Sequence, residues 1–320
     1  MSISPFGSAA VIGTGMMGPG IAVTLALGGI PSTILSRTEE GAQRGLDTAR
    51  SQVRLLADHS LATPEQAARA LAALSASNDF EKVISQADLV VESAPEDMEF
   101  KQKLFAHMDS IAKPAAVLAT NTSGLSITAV ASLCSRPERV LTTHFWNPPH
   151  LMPLVEIVKG EKTSEAVAVG VRQLLEACGK VAVVVKKDRP GQLGNRLQMA
   201  LWREAVNIVA EGIATAEDVD LAAKAGFGLR LPVYGIFEHA DAVGLPMVLG
   251  IMEYVSKDLY NHPGAPTLLH DLAARGEHGA KVGKGFYDWS RKSIDEVKAR
   301  RDEFVLEFLK REKQRSATSA

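Results

Sequence analysis

Across its first 186 residues the chain alternates short apolar, β-branched runs with longer helical patterns. The runs are Ala9-Ala10-Val11-Ile12, Ser32-Thr33-Ile34-Leu35, Asp88-Leu89-Val90-Val91, Ala116-Val117-Leu118-Ala119, Arg139-Val140-Leu141-Thr142 and Val181 to Val185. Continuous apolar runs belong to strands buried on both faces, and the helices between them supply the crossovers that parallel pairing needs. The pattern predicts an α/β fold with a doubly wound, mostly parallel sheet. From Asp188 onward long helical segments take over, as in Leu197, Leu201, Ala205 and Val209 at four-residue spacing, so an all-helical C-terminal domain is expected. Lys186-Lys187-Asp188-Arg189-Pro190-Gly191 sets charge, proline and glycine after an apolar strand, and the seam is placed there, with domains over residues 1–187 and 188–320. Thr215-Ala216-Glu217-Asp218 reads as a capped helix start and Asn261-His262-Pro263-Gly264 as a break between helices. Arg291 to Arg315 reads as a charged helix with a solvated face.

Bulk properties narrow the partners. A chain of 320 residues suits two domains, each with its own core. With 46% hydrophobic and 22% charged residues and a formal charge of -2, it lacks the basic surplus that a nucleic-acid backbone requires. Cys134 and Cys178 form neither a CxxC nor a Cys/His cluster, so no metal site or disulfide framework is expected. The opening stretch MSISPFGSAAVI runs straight into a strand pattern without a secretory leader, and no apolar stretch reaches the roughly 18 residues of a membrane span. The expectation is a cytoplasmic protein.

Gly13-Thr14-Gly15-Met16-Met17-Gly18 follows the first strand directly and opens a helix that Gly28-Gly29 ends. In this position the three glycines meet the needs of a tight turn, close approach of a pyrophosphate and helix packing, which points to a dinucleotide. About 20 residues on, a fold that prefers NAD usually carries an acid for the ribose 2′-OH. Here Ser36-Arg37 stands instead, and a guanidinium suits a 2′-phosphate, so NAD and NADP are both open. Arg37 is otherwise a surface residue near Glu39 and Glu40.

His144 ends the fifth run, and Glu156 sits in the apolar stretch Leu154-Val155-Glu156-Ile157-Val158 beyond the turn at Pro148-Pro149. Alcohol oxidation needs a group that takes a proton near neutral pH, and a carboxylate among Val and Ile needs a partner. The two residues serve either as an acid/base pair or as a satisfied structural pair. His150, a rival base, falls in the turn.

Together Gly13-x-Gly15-x-x-Gly18, Asn121-Thr122-Ser123, His144-Phe145-x-Asn147-Pro148, Leu154-Val155-Glu156, Pro190-Gly191 leading to Asn195-Arg196, and Gly283-Lys284-Gly285-Phe286-Tyr287 resemble the 3-hydroxyacyl-CoA dehydrogenase family, in order and over nearly the whole chain. The resemblance implies a Rossmann-type domain, then a helical domain that mediates homodimerisation, with the active site in the cleft between them. It implies hydride transfer between a nicotinamide cofactor and a 3-hydroxyacyl substrate, by default a CoA ester of fatty acid metabolism. On the matching positions His144 becomes the acid/base, Glu156 its orienting partner, and Ser123 and Asn195 the hydrogen-bonding groups on the reacting oxygen. Gly13, Gly15, Met16, Met17, Gly18, Ser36, Arg37, Glu96, Lys101, Asn121, Asn147 and Lys281 become the cofactor contacts. Lys101 has a blander role open to it, a helix-surface charge after Glu96.

Two departures bear on substrate. The family's CoA contacts, a serine and a lysine after the second strand, fall on Gln52 and His59 here. Where CoA-ester members carry Met-Gly-Pro-Phe, this chain reads Gly226-Phe227-Gly228-Leu229-Arg230-Leu231-Pro232-Val233-Tyr234, and the arginine resembles relatives acting on small carboxylates such as gulonate, carnitine and pyridine-carboxylate dehydrogenases. Arg230 is either a bidentate clamp on a substrate carboxylate or a salt bridge at a helix start. A free hydroxy acid therefore stands beside the CoA ester. Short-chain β-hydroxyacid dehydrogenases, which use a lysine base, fit poorly for want of that lysine motif. A non-enzymatic nucleotide-binding or structural protein has no need of Ser123, His144, Glu156 and Asn195 together.

Overall fold

The computed structural model describes residues 6–318, so the first five residues of the opening stretch lie outside the described residues. Eight strands, β1 (Ala9–Ile12), β2 (Ser32–Leu35), β3 (Leu74–Ser77), β4 (Leu89–Glu92), β5 (Val117–Thr120), β6 (Val140–Phe145), β7 (Leu154–Lys159) and β8 (Val181–Val185), form one sheet in the order β3-β2-β1-β4-β5-β6-β7-β8. Every neighbouring pair is parallel except β6 and β7. Helices α1 (Gly18–Leu27), α2 (Glu39–Asp58), α3 (Pro64–Ala73), α4 (Phe80–Gln86), α5 (Met98–Ile111), α6 (Ile127–Val130) and α7 (Glu165–Ala177) connect them.

The continuous apolar runs bury both faces, as that pattern demands. Val11, Leu89, Val91 and Ala119 join one core with α1, α2 and α3, while Ala10, Val90 and Leu118 join a second core with α4, α5 and α6. Helix α1 has no amphipathic stripe: Gly18 through Ala26 are all buried. Two strands go beyond the six runs. Leu74–Ser77 is the edge strand β3, where Leu74 alone is buried. Leu154–Lys159 pairs antiparallel with β6, so the chain doubles back after Phe145.

After β8 come α8 (Gly194–Ala210), α9 (Ala216–Ala225), α10 (Phe227–Arg230), α11 (Ile236–Val243), α12 (Leu245–Val255), α13 (Thr267–Ala274) and α14 (Ile294–Thr318). Thr215 caps α9 by accepting from Asp218 N, and the stretch 261–264 separates α12 from α13. Two compact units result, residues 1–195 with 300–320, and residues 196–299. The stretch after Lys187 stays with the sheet because it is hydrogen-bonded to it. Asp188 Oδ2 accepts from Ser126 Oγ at 2.5 Å and Thr128 N at 2.9 Å, and Gln192 Nε2 donates to Thr122 O at 2.7 Å.

The charged tail helix departs from the solvated face expected of it. Leu306 is 4% exposed and Val305 packs beside it on the first unit's core, so α14 buries one side against that core. Among the described residues no helix is long and apolar enough to cross a membrane, and no group of three or more His, Cys, Asp or Glu side chains is placed to hold a metal.

Candidate active site

His144 and Glu156 are direct partners in the antiparallel β6–β7 ladder, which sets their side chains side by side on one face of the sheet. His144 Nδ1 lies 2.8 Å from Glu156 Oε2, and both side chains are buried. Trp146 Nε1 donates to the same oxygen at 3.0 Å, while the backbone N–H groups of Leu193 and Gly194 donate to Oε1 at 2.9 and 2.8 Å. The backbone approaches this closely because residue 194 is glycine: a Cβ there would run into the Trp146 ring. Burial pushes the Glu156 carboxyl up, but the hydrogen bonds from His144, Gly194, Trp146 and Leu193 outweigh it and hold the pKa at about 2. Glu156 is a fixed carboxylate that engages Nδ1 of His144 and leaves Nε2 on the other side of the ring.

Around Ser123 a second network forms. Ser123 N donates to Glu96 Oε1 at 2.6 Å, Thr122 Oγ1 donates to Glu96 Oε2 at 2.8 Å, and Asn195 Nδ2 donates to Ser123 O at 3.0 Å. Ser123 and Asn195 are thus held together; one Asn195 amide proton is used on the backbone, and the amide carries a second. Lys101 is no surface charge. Its side chain is 1% exposed, with Nζ 2.6 Å from Glu92 Oε1 and 3.6 Å from Glu96 Oε2. Glu92 also accepts from Thr120 Oγ1 at 2.6 Å and from Ala94 N. Sequence reading did not single out Glu92 or Trp146, though a carboxylate closing the apolar run Leu89-Val90-Val91 was a signal. Asn121 Oδ1 accepts from Phe145 N at 2.8 Å and so ties the end of β5 to the strand that carries His144.

The phosphate loop fits a dinucleotide. Gly13 takes a φ of 112°, which only glycine adopts freely, and a Cβ on Gly18 would strike the Gly13 carbonyl. A Cβ on Gly15 would meet nothing within 4 Å, so that face of the loop is open, at the N-terminus of α1 where no side chain caps the helix. The helix's first N–H groups are available there for phosphate oxygens. Met16 is exposed beside them, and Met17 packs partly buried against the core. Ser36 follows β2 with its hydroxyl against Gly41, and Arg37 is exposed with no acidic partner among the described residues, Glu39 and Glu40 included. Asn147 is exposed in the turn after β6.

Arg230 and Lys281 belong to the second unit. Arg230 ends α10, exposed and in no ion pair among the described residues, which removes its salt-bridge role; Lys281 is exposed on a short helical turn over Ala280–Val282.

Known proteins resemble this chain in sequence and fold. Residues 8–189 match the model of the 3-hydroxyacyl-CoA dehydrogenase NAD binding domain, and residues 191–289 match that family's C-terminal domain. A probable 3-hydroxybutyryl-CoA dehydrogenase of Bacillus subtilis is 37% identical over 88% of this chain and 97% of its own length. The 5-formyl-3-hydroxy-2-methylpyridine 4-carboxylate 5-dehydrogenase of Mesorhizobium japonicum is 30% identical over 91% of this chain and 94% of its own. A crystal structure of a dehydrogenase of the latter kind, described as an NAD+ dependent dismutase, superposes with a TM-score of 0.88 at 29% identity, covering 94% of this chain and 97% of that one. Matched along both its halves, the chain belongs to the 3-hydroxyacyl-CoA dehydrogenase family and is an NAD-linked dehydrogenase acting on CH–OH.

Proposed function

We propose that this dehydrogenase acts on a small free hydroxy acid, with His144 as acid/base and Glu156 as its orienting partner. The observation that carries the chemistry is the buried His144–Glu156 pair, in which four donors fix the carboxylate. The phosphate loop would hold NAD, whose nicotinamide would supply the hydride acceptor in the oxidising direction and the hydride donor in the reducing one. His144 Nε2 takes the hydroxyl proton as the carbonyl forms, and Glu156 stabilises the imidazolium through Nδ1–H. Ser123 Oγ and the second amide proton of Asn195 donate to the same oxygen, where negative charge builds.

Four observations favour a free acid over a CoA ester. The positions corresponding to the family's CoA contacts are Gln52, whose Oε1 is buried without a partner, and His59. Helix α14 lies against that stretch: Lys313 Nζ donates to Ser60 O and Leu61 O at 3.1 and 3.2 Å, and Glu307 is within electrostatic reach of His59. Arg230 is exposed and in no ion pair among the described residues, which leaves its guanidinium open to a carboxylate. The relative from Mesorhizobium japonicum, similar over nearly its whole length, acts by name on a pyridine 4-carboxylate and not on a CoA ester. The CoA ester is the second reading, supported by the Bacillus relative.

Parallel assays of 3-hydroxybutyryl-CoA and a panel of free hydroxy and hydroxymethyl acids test the choice. Faster turnover of a free acid is expected; a thioester preference overturns the substrate assignment and leaves the dyad standing. Arg37, free of acidic neighbours, extends the proposal to NADP. Arg37→Ala should raise KM for NADPH about tenfold or more, the scale of a lost charged hydrogen bond, and leave NADH within about twofold.

A further inference from the structure

A cavity of about 370 Å³ lies within the first unit, between α1, the turn after α2, the stretch 150–153, the end of α7 and α14. It shares no residue with the dyad or the phosphate loop. The volume falls at the small end of the roughly 300–1,000 Å³ typical of ligand pockets. Leu56, Leu151 and Leu309 supply apolar wall, and Lys180, His150 and Lys313 stand in the lining beside the neutral Thr24 and Gln66.

The charges here do not cancel. Lys180 Nζ donates to Pro149 O at 2.6 Å and Met152 O at 3.0 Å, which uses two of its three protons, and no carboxylate pairs with it among the described residues. Burial pushes its pKa down to about 8, so at neutral pH a largely charged ammonium is held in a poorly solvated place without a counter-ion. Lys313 also bonds only carbonyl oxygens. His150 is neutral, lowered to about 4 by burial and then by Lys180, and its Nδ1 is buried without a partner. Cys178, raised to about 11 by burial, stays a thiol. The acid that His150 senses, Asp302, is taken by Arg301 at 2.7 Å. An excess of positive charge beside an apolar wall calls for an amphipathic anion.

We propose that this cavity binds a monocarboxylic acid with an apolar body, its carboxylate on Lys180 Nζ and its chain against Leu56, Leu151 and Leu309. The site is separate from the dehydrogenase centre, and because Leu309 and Lys313 belong to α14, its occupant also fastens that helix to the first unit.

Octanoate is the probe, octanol the uncharged control, and the readouts are calorimetric titration and thermal denaturation of the full-length protein saturated with NADH. Octanoate should bind and raise Tm, and octanol should do neither. Lys180→Met should weaken octanoate at least tenfold with turnover unchanged, whereas His144→Ala should leave the affinity as it was. Leu309→Trp, which fills the cavity and keeps every charge, should abolish binding, and it carries the test if Lys180→Met does not fold. Octanol binding as well as octanoate, no octanoate binding, or loss with His144→Ala and not with the cavity variants would each overturn the proposal.

Discussion

At the scale of the residue, the site turns on a carboxylate that its surroundings keep ionised. Glu156 has a folded pKa of about 2 against an ordinary value of 4.5, so the folded state favours its charged form. Its contribution to stability is present in full above the ordinary value and is lost as pH falls from about 4.5 toward about 2. Glu156→Gln removes that titration. The stability gap between the unaltered protein and the variant, followed by urea denaturation, should be widest above pH 4.5 and close as the medium approaches pH 2; a gap that stays constant would show that the carboxylate is not held by these donors. His144 and Glu156 were legible in the sequence because each breaks an apolar run and each needs the other. Lys101 was not legible as a buried group. Its partners Glu92 and Glu96 lie on the far side of a helix start, and spacing along a helix cannot reveal a side chain that turns back beneath its own N-terminus.

At the scale of the element, apolar continuity told which strands are central and failed at the rim. An edge strand buries little, so Leu74-Ser75-Ala76-Ser77 carries too few apolar residues to stand out. The antiparallel return of β7 left no mark in composition, since it too is buried in the sheet. Helix α14 misleads for a related reason: its charges dominate the average, while Val305 and Leu306 reach the core. Leu306→Ala should destabilise the protein by about 2–5 kcal/mol, the usual range for a buried leucine. Denaturant unfolding measures it, and a change within about 0.5 kcal/mol, as at an exposed position, would mean that the helix does not dock.

At the scale of the whole molecule, the second unit looks unfinished on its own. Val206 and Leu272 are the buried hydrophobic residues among its described positions, while Phe237 is 83% and Tyr254 79% exposed. Helix α12, Leu-Pro-Met-Val-Leu-Gly-Ile-Met-Glu-Tyr-Val, is apolar nearly all round, a composition that belongs inside a core or an interface. We propose that a second copy covers α11 and α12. Sedimentation at micromolar concentration should give twice the chain mass, and Phe237→Glu combined with Ile251→Glu should give a monomer; a monomer without those changes would contradict the proposal.

The account as a whole rests on proton transfer at His144. The most direct test is His144→Gln, assayed with whichever acid or thioester the unaltered protein turns over fastest, beside a fluorescence titration with NADH. Turnover should fall by about 10²–10⁴-fold, the usual worth of a positioned acid/base, with NADH affinity within about twofold. Turnover within about tenfold of the unaltered protein would mean that His144 holds structure rather than protons.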